Sequence, residues 1–288
     1  MKSLRIVFLL RKKSKNPNFD EYDIKSQKDE VETNIREICG SLQWVVTICR
    51  PDIAKSVNML SHFTAEKCTQ NRLLAAQKVI GYLLYSKNIG ITYSAQTVDD
   101  FENNYRTDGS GNNSTLSVFN LFTDASWASA RDSFYSVSGA VLTYKGSLVW
   151  WKSSRQTIQA ESTCQAEFIS AADALKEIDK LGFLTFFLGG KQSEGGYPDD
   201  LTLWIDSTSA KAAAESSEPT SKTRHYVLRY YKVRELAQKG PNKLKFCVSA
   251  LQRADALTKS ASPESRKVLM GEQNFNVNGY LLWRQNGL

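Results

Sequence analysis

The chain changes character at Ser117, and that change limits its possible folds more than any other feature. Three strand-length apolar runs follow one another, Ser117–Phe122, Val137–Tyr144 and Ser147–Lys152. Each is joined to the next by turn-rich residues. Lys145-Gly146 is a tight turn between the last two runs and predicts a hairpin. A long helical run then covers Ala160–Leu188, with Phe168, Ala171, Ala172, Leu175, Ile178 and Leu181 at roughly helical spacing. A Gly/Ser/Pro loop, Gly189–Asp200, leads into the apolar strand Leu201–Ile205. Helices are expected over Ser207–Glu215 and His225–Gln238, a strand at Lys243–Ser249 and a last helix from Arg253. That order predicts an α/β domain built on a mixed sheet of about five strands with flanking helices.

The first third reads differently. Residues 1–33 are mixed and polar without a sustained period, and a poorly ordered lead is expected there. Helical signals begin near Asn34. Pro51 stands where a helix starts, followed by Ile53, Val57, Leu60 and Phe63 at helical spacing. Asn71–Tyr85 is a second helix with a broad apolar face. Gln96–Leu116 is rich in Asp, Asn, Gly and Ser, the composition of a surface linker. The expected organisation is therefore a lead (1–33), a helical segment (34–95), a linker (96–116), the α/β domain (117–275) and a tail (276–288).

Charge and cysteine usage narrow the partners and the compartment. The formal net charge of +7 is carried by Leu201–Leu288, which hold 14 Lys/Arg against 7 Asp/Glu, while residues 1–200 hold 23 of each sign. A phosphate backbone would explain that segregation, as would solubility alone. The five cysteines include no Cys-x-x-Cys pair, which argues against a disulfide framework or a zinc site and for a reducing compartment, cytoplasm or nucleus. The apolar run Ile6–Leu10 is too short to span a bilayer, and no membrane association is expected.

Most acidic side chains are solvated, so single ones mean little. Four here stand in apolar settings. Asp124 follows Leu121-Phe122-Thr123, and Asp206 follows Leu203-Trp204-Ile205, each at the carboxyl end of an expected strand, where ligands bind in open α/β sheets. Glu167 lies among Ala166, Phe168 and Ile169 in the first turns of the long helix, and Asp255 between Ala254 and Ala256. Clustered carboxylates repel unless a cation neutralises them, and oxygen-only ligands suit Mg2+ or Mn2+. Two such ions can activate water and stabilise the leaving oxygen of a phosphodiester.

The motifs around these acids carry a resemblance. Phe122-Thr123-Asp124-Ala125-Ser126-Trp127, Val149-Trp150-Trp151-Lys152-Ser153-Ser154-Arg155-Gln156 and Ala166-Glu167-Phe168-Ile169 resemble the ribonuclease H domain of Copia-type retrotransposon Pol polyproteins. Ile205-Asp206-Ser207, Ser221-Lys222-Thr223-Arg224-His225 with Arg229-Tyr230, and Ala254-Asp255-Ala256-Leu257-Thr258-Lys259 continue it in order, from about Leu121 to Gly271. The resemblance implies a ribonuclease H-like fold and an Asp-Glu-Asp-Asp site of Asp124, Glu167, Asp206 and Asp255, holding two Mg2+ or Mn2+ ions. It implies a metal-dependent endonuclease that cuts the RNA strand of an RNA–DNA hybrid. Lys222, Arg224, His225 and Arg229 are the candidate substrate contacts.

Gly40-Ser41-Leu42, Arg50-Pro51-Asp52-Ile53 and Leu60-Ser61 resemble the end of a reverse transcriptase in the same polyproteins. Full-length reverse transcriptase is thus an expected partner. No Tyr-x-Asp-Asp occurs in the chain, so no polymerase activity is expected from it. The chain departs from the family at Gln165, where a Glu is usual, and at Val227 and Tyr231, which replace an Asp and a His. No His stands in the stretch before Asp255. The tryptophans Trp127, Trp150, Trp151 and Trp204 could stack on sugars or bases, but strand tryptophans are usually core and are expected to be so here. The alternative to an enzyme is a catalytically idle nucleic-acid-binding or assembly module, a retroelement relic. A transposase or integrase site fits poorly, since it needs three acids in Asp-Asp-Glu order.

Overall fold

The computed structural model describes residues 16–19, 24–25, 29–106, 116–129, 134–191, 197–216, 227–240 and 242–271. The chain divides into two units, Met1–Ile91 with Lys259–Leu288, and Thr92–Thr258.

In the first unit, Asn34 caps helix α1 (Ile35–Ile48) by accepting from the Glu37 amide. Pro51 opens a 3-10 turn (Pro51–Ile53) that runs into α2 (Ala54–Ser61), and Thr69 caps α3 (Gln70–Tyr85). Arg50 and Asp52 are both buried. The guanidinium donates from Nε and Nη2 to the two carboxylate oxygens, each at 2.8 Å. Tyr82 Oη donates to Asp52 Oδ2 at 2.8 Å, and Arg50 Nη1 donates to the Ser86 carbonyl at 3.1 Å. The Arg50-Pro51-Asp52 motif is thus a buried clamp between the start of α2 and the end of α3. The last described helix, α10 (Pro263–Met270), also belongs to this unit, with Arg266 5.3 Å from the centre of the Tyr82 ring.

The second unit holds a five-stranded sheet of β1 (Phe119–Ser126), β2 (Val137–Tyr144), β3 (Ser147–Arg155), β4 (Leu201–Ile205) and β5 (Leu244–Phe246) in the order β3-β2-β1-β4-β5. β1, β2 and β3 pair antiparallel, whereas β4 and β5 join in parallel. This is the mixed sheet that the strand–helix order implied. The β2–β3 hairpin closes on Lys145 and Gly146, both at positive φ (46° and 79°) as a two-residue turn requires.

Alternation along β1 and β4 splits the sheet into two apolar faces. On one, Phe119, Leu121, Leu201, Leu203 and Ile205 pack under α5 (Thr163–Lys180), α7 (Thr208–Glu215) and α8 (Val227–Gln238). On the other, Phe122 and Trp204 stack with ring centres 5.8 Å apart. They are covered by Phe101 and Tyr105 of α4 (Ala95–Tyr105), a helix in the stretch that composition alone assigns to a linker. Two aromatic rings one turn apart dock that helix on the sheet, each burial worth about 1.5–3 kcal/mol. The Arg253 guanidinium lies over Phe101, Tyr105 and Phe122 and donates to the Gly146 carbonyl at 2.7 Å. Gly146 is required here, because a Cβ would meet Phe101 at 2.4 Å.

The expected helix Ala160–Leu188 is two helices. Ser162 caps α5 through the Gln165 amide, and the helix breaks at Leu181, ahead of α6 (Gly182–Phe187). The expected last helix is also interrupted. A single turn, α9 (Asp255–Thr258), ends one unit before α10 begins in the other. Trp204 is core, Trp150 and Trp151 are half-buried, and Trp127 departs from the core expectation with 47% of its surface exposed.

Candidate metal centre

β1 is longer than its parallel partner. It pairs with β4 only as far as Phe122↔Trp204, but with β2 as far as Ser126↔Val137. Asp124 and Asp206 are each two residues past the last parallel pair, so the register sets them level where the two strands part. α5 supplies Glu167 from its first turns, and Glu167 Oε1 accepts from the Ala125 amide at 3.3 Å. One carboxylate oxygen from each of Asp124, Glu167 and Asp206 lies within 4.8 Å of the others. Asp124 and Glu167 are buried and Asp206 is half-buried.

The surrounding groups fix this arrangement. Ser170 Oγ, one turn along α5 from Glu167, donates to the Asp124 carbonyl at 2.8 Å. Gln252 Nε2 donates to the Thr123 carbonyl at 3.0 Å, and Ser249 Oγ donates to Asp206 Oδ2 at 3.3 Å. Thr258 Oγ1 donates to Asp124 Oδ2. That contact depends on Gly139, the β2 partner of Asp124, where a Cβ would meet Thr258 Cγ2 at 2.7 Å, the Ala254 carbonyl at 2.8 Å and Leu257 Cβ at 2.9 Å. Burial pushes the Cys247 thiol up to about 12, and the charge of Asp206 adds to the effect. Among the described residues, the grouped donors offered to a cation are the carboxylate oxygens of Asp124, Glu167 and Asp206. Such a donor set fits Mg2+ or Mn2+.

No family model matches the chain. It is similar to the retrovirus-related Pol polyprotein from transposon RE1 of Arabidopsis thaliana, 27% identical over 230 residues, which are 80% of this chain and 14% of that polyprotein. It is 26% identical over 220 residues to the corresponding polyprotein from transposon TNT 1-94 of Nicotiana tabacum, covering 76% of this chain and 15% of the relative. Both of these relatives are transposon polyproteins. The chain spans only 14–15% of their length. Among solved structures, a ribonuclease H1 isolated from compost (LC11-RNase H1) is 17% identical, covers 50% of this chain and 94% of its own, and superposes with a TM-score of 0.36. The strand order and the mixed pairing, not that superposition, carry the ribonuclease H-like fold.

Three of the four acids singled out in the sequence come together. Asp255 is outside that tight group, on the first residue of the turn that brings Thr258 to Asp124. Of the candidate substrate contacts, Lys222, Arg224 and His225 lie outside the described residues. Arg229 Nε is 3.5 Å from Asp173 Oδ1 of α5, so its charge is turned to a neighbouring helix. Gln165, where the resemblance implies a Glu, accepts from the Glu161 amide at 2.8 Å and so secures the start of α5. The roles of Gly139, Ser170, Ser249, Gln252 and Thr258 escaped the sequence reading, although Thr258 stands in a motif quoted there. Only the Gly between Ser138 and Ala140 within a strand run gave a signal there, since a strand glycine marks close backbone approach.

Proposed function

We propose that the second unit is the ribonuclease H domain of a Copia-type retrotransposon polyprotein and hydrolyses the RNA strand of RNA–DNA hybrids. The proximity of the Asp124, Glu167 and Asp206 carboxylates at the end of β1 and β4 carries this reading. These three side chains, with Asp255 from the adjoining turn, would hold two Mg2+ or Mn2+ ions. Bound there, such ions supply the charge that activates a water and stabilises the leaving 3′-oxygen. The protein's part is to fix the carboxylates. The Ala125 amide orients Glu167, Thr258 orients Asp124 and Ser249 orients Asp206. The helical segment before the domain is read as the end of a reverse transcriptase, which makes full-length reverse transcriptase the protein partner. A reducing compartment, cytoplasm or nucleus, accords with five cysteines that form no disulfide. Among the described residues, no helix is long and apolar enough to cross a membrane.

The test is cleavage of a labelled RNA–DNA hybrid by the full chain with Mg2+ or Mn2+, with Asp124→Asn as control. The parent should cut the RNA strand, leaving 3′-hydroxyl and 5′-phosphate ends. The variant should lose the activity while keeping the parent's circular dichroism. Cleavage by the variant at the parent rate would remove the metal-centre assignment. One observation favours a second reading, an idle nucleic-acid-binding module: Asp255 is not in the tight carboxylate group. Hybrid binding without any cleavage in either metal is the outcome that would select it.

A further inference from the structure

An open hollow of about 560 Å³ is lined by Trp127, Ala128, Phe134, Gln159, Ala160 and Glu161. None of the three acids lines it, but short stretches of chain and packing link it to them. Trp127 is three residues past Asp124 on the same run of chain, and Ala160 packs with Ala166 and Ala125, next to Glu167 and its amide donor. Trp127 Nε1 donates to the Ala160 carbonyl at 2.9 Å, which pins the indole edge and leaves 47% of the residue exposed. Phe134 is 65% exposed and sits at φ 52°, a left-handed conformation that a bulky side chain rarely adopts. Its ring is not in the core, so no internal packing offsets that strain or the exposure of an apolar face. The two ends of the chain segment are tied where the Ala128 amide donates to Ser136 Oγ at 3.1 Å.

We propose that this hollow receives an unpaired nucleobase from a single-stranded segment flanking the hybrid to be cut. The inference rests on the nuclease reading above. Two exposed aromatic faces suit a base taken out of a duplex stack, since every base offers a π-face. Bases inside a hybrid are stacked on one another and cannot reach such a surface. Glu161 at the wall carries a negative charge and disfavours a phosphate. The occupant is therefore the base rather than the backbone.

The experiment uses the full chain carrying Asp124→Asn, so that binding is measured without turnover. Affinities are compared for a blunt RNA–DNA hybrid and for the same hybrid with a short single-stranded RNA overhang. The overhang should strengthen binding about tenfold, the size of one base–aromatic contact. Phe134→Ala, at an exposed position where folding is not at risk, should remove most of that preference and leave blunt-hybrid affinity unchanged. Trp127→Phe, which keeps a ring but loses the bond to Ala160, should reduce it partly, and Trp127→Ala should abolish it. Equal affinity for the two hybrids, or a preference that survives both Phe134→Ala and Trp127→Ala, overturns the inference while leaving the nuclease reading intact. If neither hybrid binds, both readings fall together.

Discussion

Asp124 illustrates how little freedom a candidate metal ligand has once the backbone around it is fixed. Its carbonyl accepts from Ser170, its carboxylate accepts from Thr258, and its partner across the β1–β2 ladder is Gly139. The glycine is the weak point of this arrangement. Any side chain there pushes on Thr258, Leu257 and the Ala254 carbonyl at once, and two of those contacts are with backbone or Cβ atoms that cannot rotate away. Gly139→Ala is expected to destabilise the domain by about 1–3 kcal/mol, the usual cost of overpacking. It should also lower hybrid cleavage more than stability alone explains, because the displaced turn carries both Thr258 and Asp255. Denaturant unfolding and cleavage rates on the same preparation test this. A variant with the parent's stability and rate would show that α9 is not held by close approach to β2.

At the level of elements, the sequence was most legible where local chemistry and tertiary packing agree. The hairpin strand Val137–Tyr144 and the strand Leu201–Ile205 have the bounds that apolar runs and turn residues predicted. The helix α4 was not legible, because it buries only Thr97, Phe101 and Tyr105, and Asp99, Asp100, Glu102, Asn103 and Asn104 give it the composition of a linker. The break at Leu181 was hidden by an apolar period that runs on through α6, where Phe183, Phe186 and Phe187 are exposed rather than core. Asp124 and Asp206 could be found because strand ends are readable, and Glu167 because it stands among apolar residues in the first turns of a helix. The hydroxyl and amide groups that orient them could not, because Ser, Thr and Gln are common on any surface. The Arg50-Pro51-Asp52 motif shows the converse, a readable signature whose role is internal. Burial works against the Arg50 charge, but the bonds to Asp52 outweigh it and hold the guanidinium above its ordinary range. Asp52→Ala strands that cation in the interior and should cost about 3–5 kcal/mol. Chemical denaturation of the full chain should report the loss in the transition that includes α1–α3. A change under about 1 kcal/mol would mean that water reaches Arg50 in the variant.

For the whole molecule, the governing feature is the uneven charge. Leu201–Leu288 hold the entire net excess of +7, in the last third of the sequence, which also supplies Asp206 and Asp255. A surface that neutralises phosphates releases counterions, so its affinity falls linearly in logarithmic salt, by nearly one unit of slope per contact. The Asp124→Asn chain is therefore expected to bind hybrid with an affinity that drops steeply between low and physiological salt. Lys222 and Arg224 open a basic run that continues with Arg229, Lys232 and Arg234, and replacing both by Ala should lower the slope by about two. Arg229 behaves differently, because its guanidinium faces Asp173 on α5. Adding Arg229→Ala to the double variant should change the slope little and instead loosen the packing of α8 on α5, read as a lower thermal midpoint. A slope that falls by a full unit with Arg229, or does not move with Lys222 and Arg224, would relocate the phosphate path to another face of the domain.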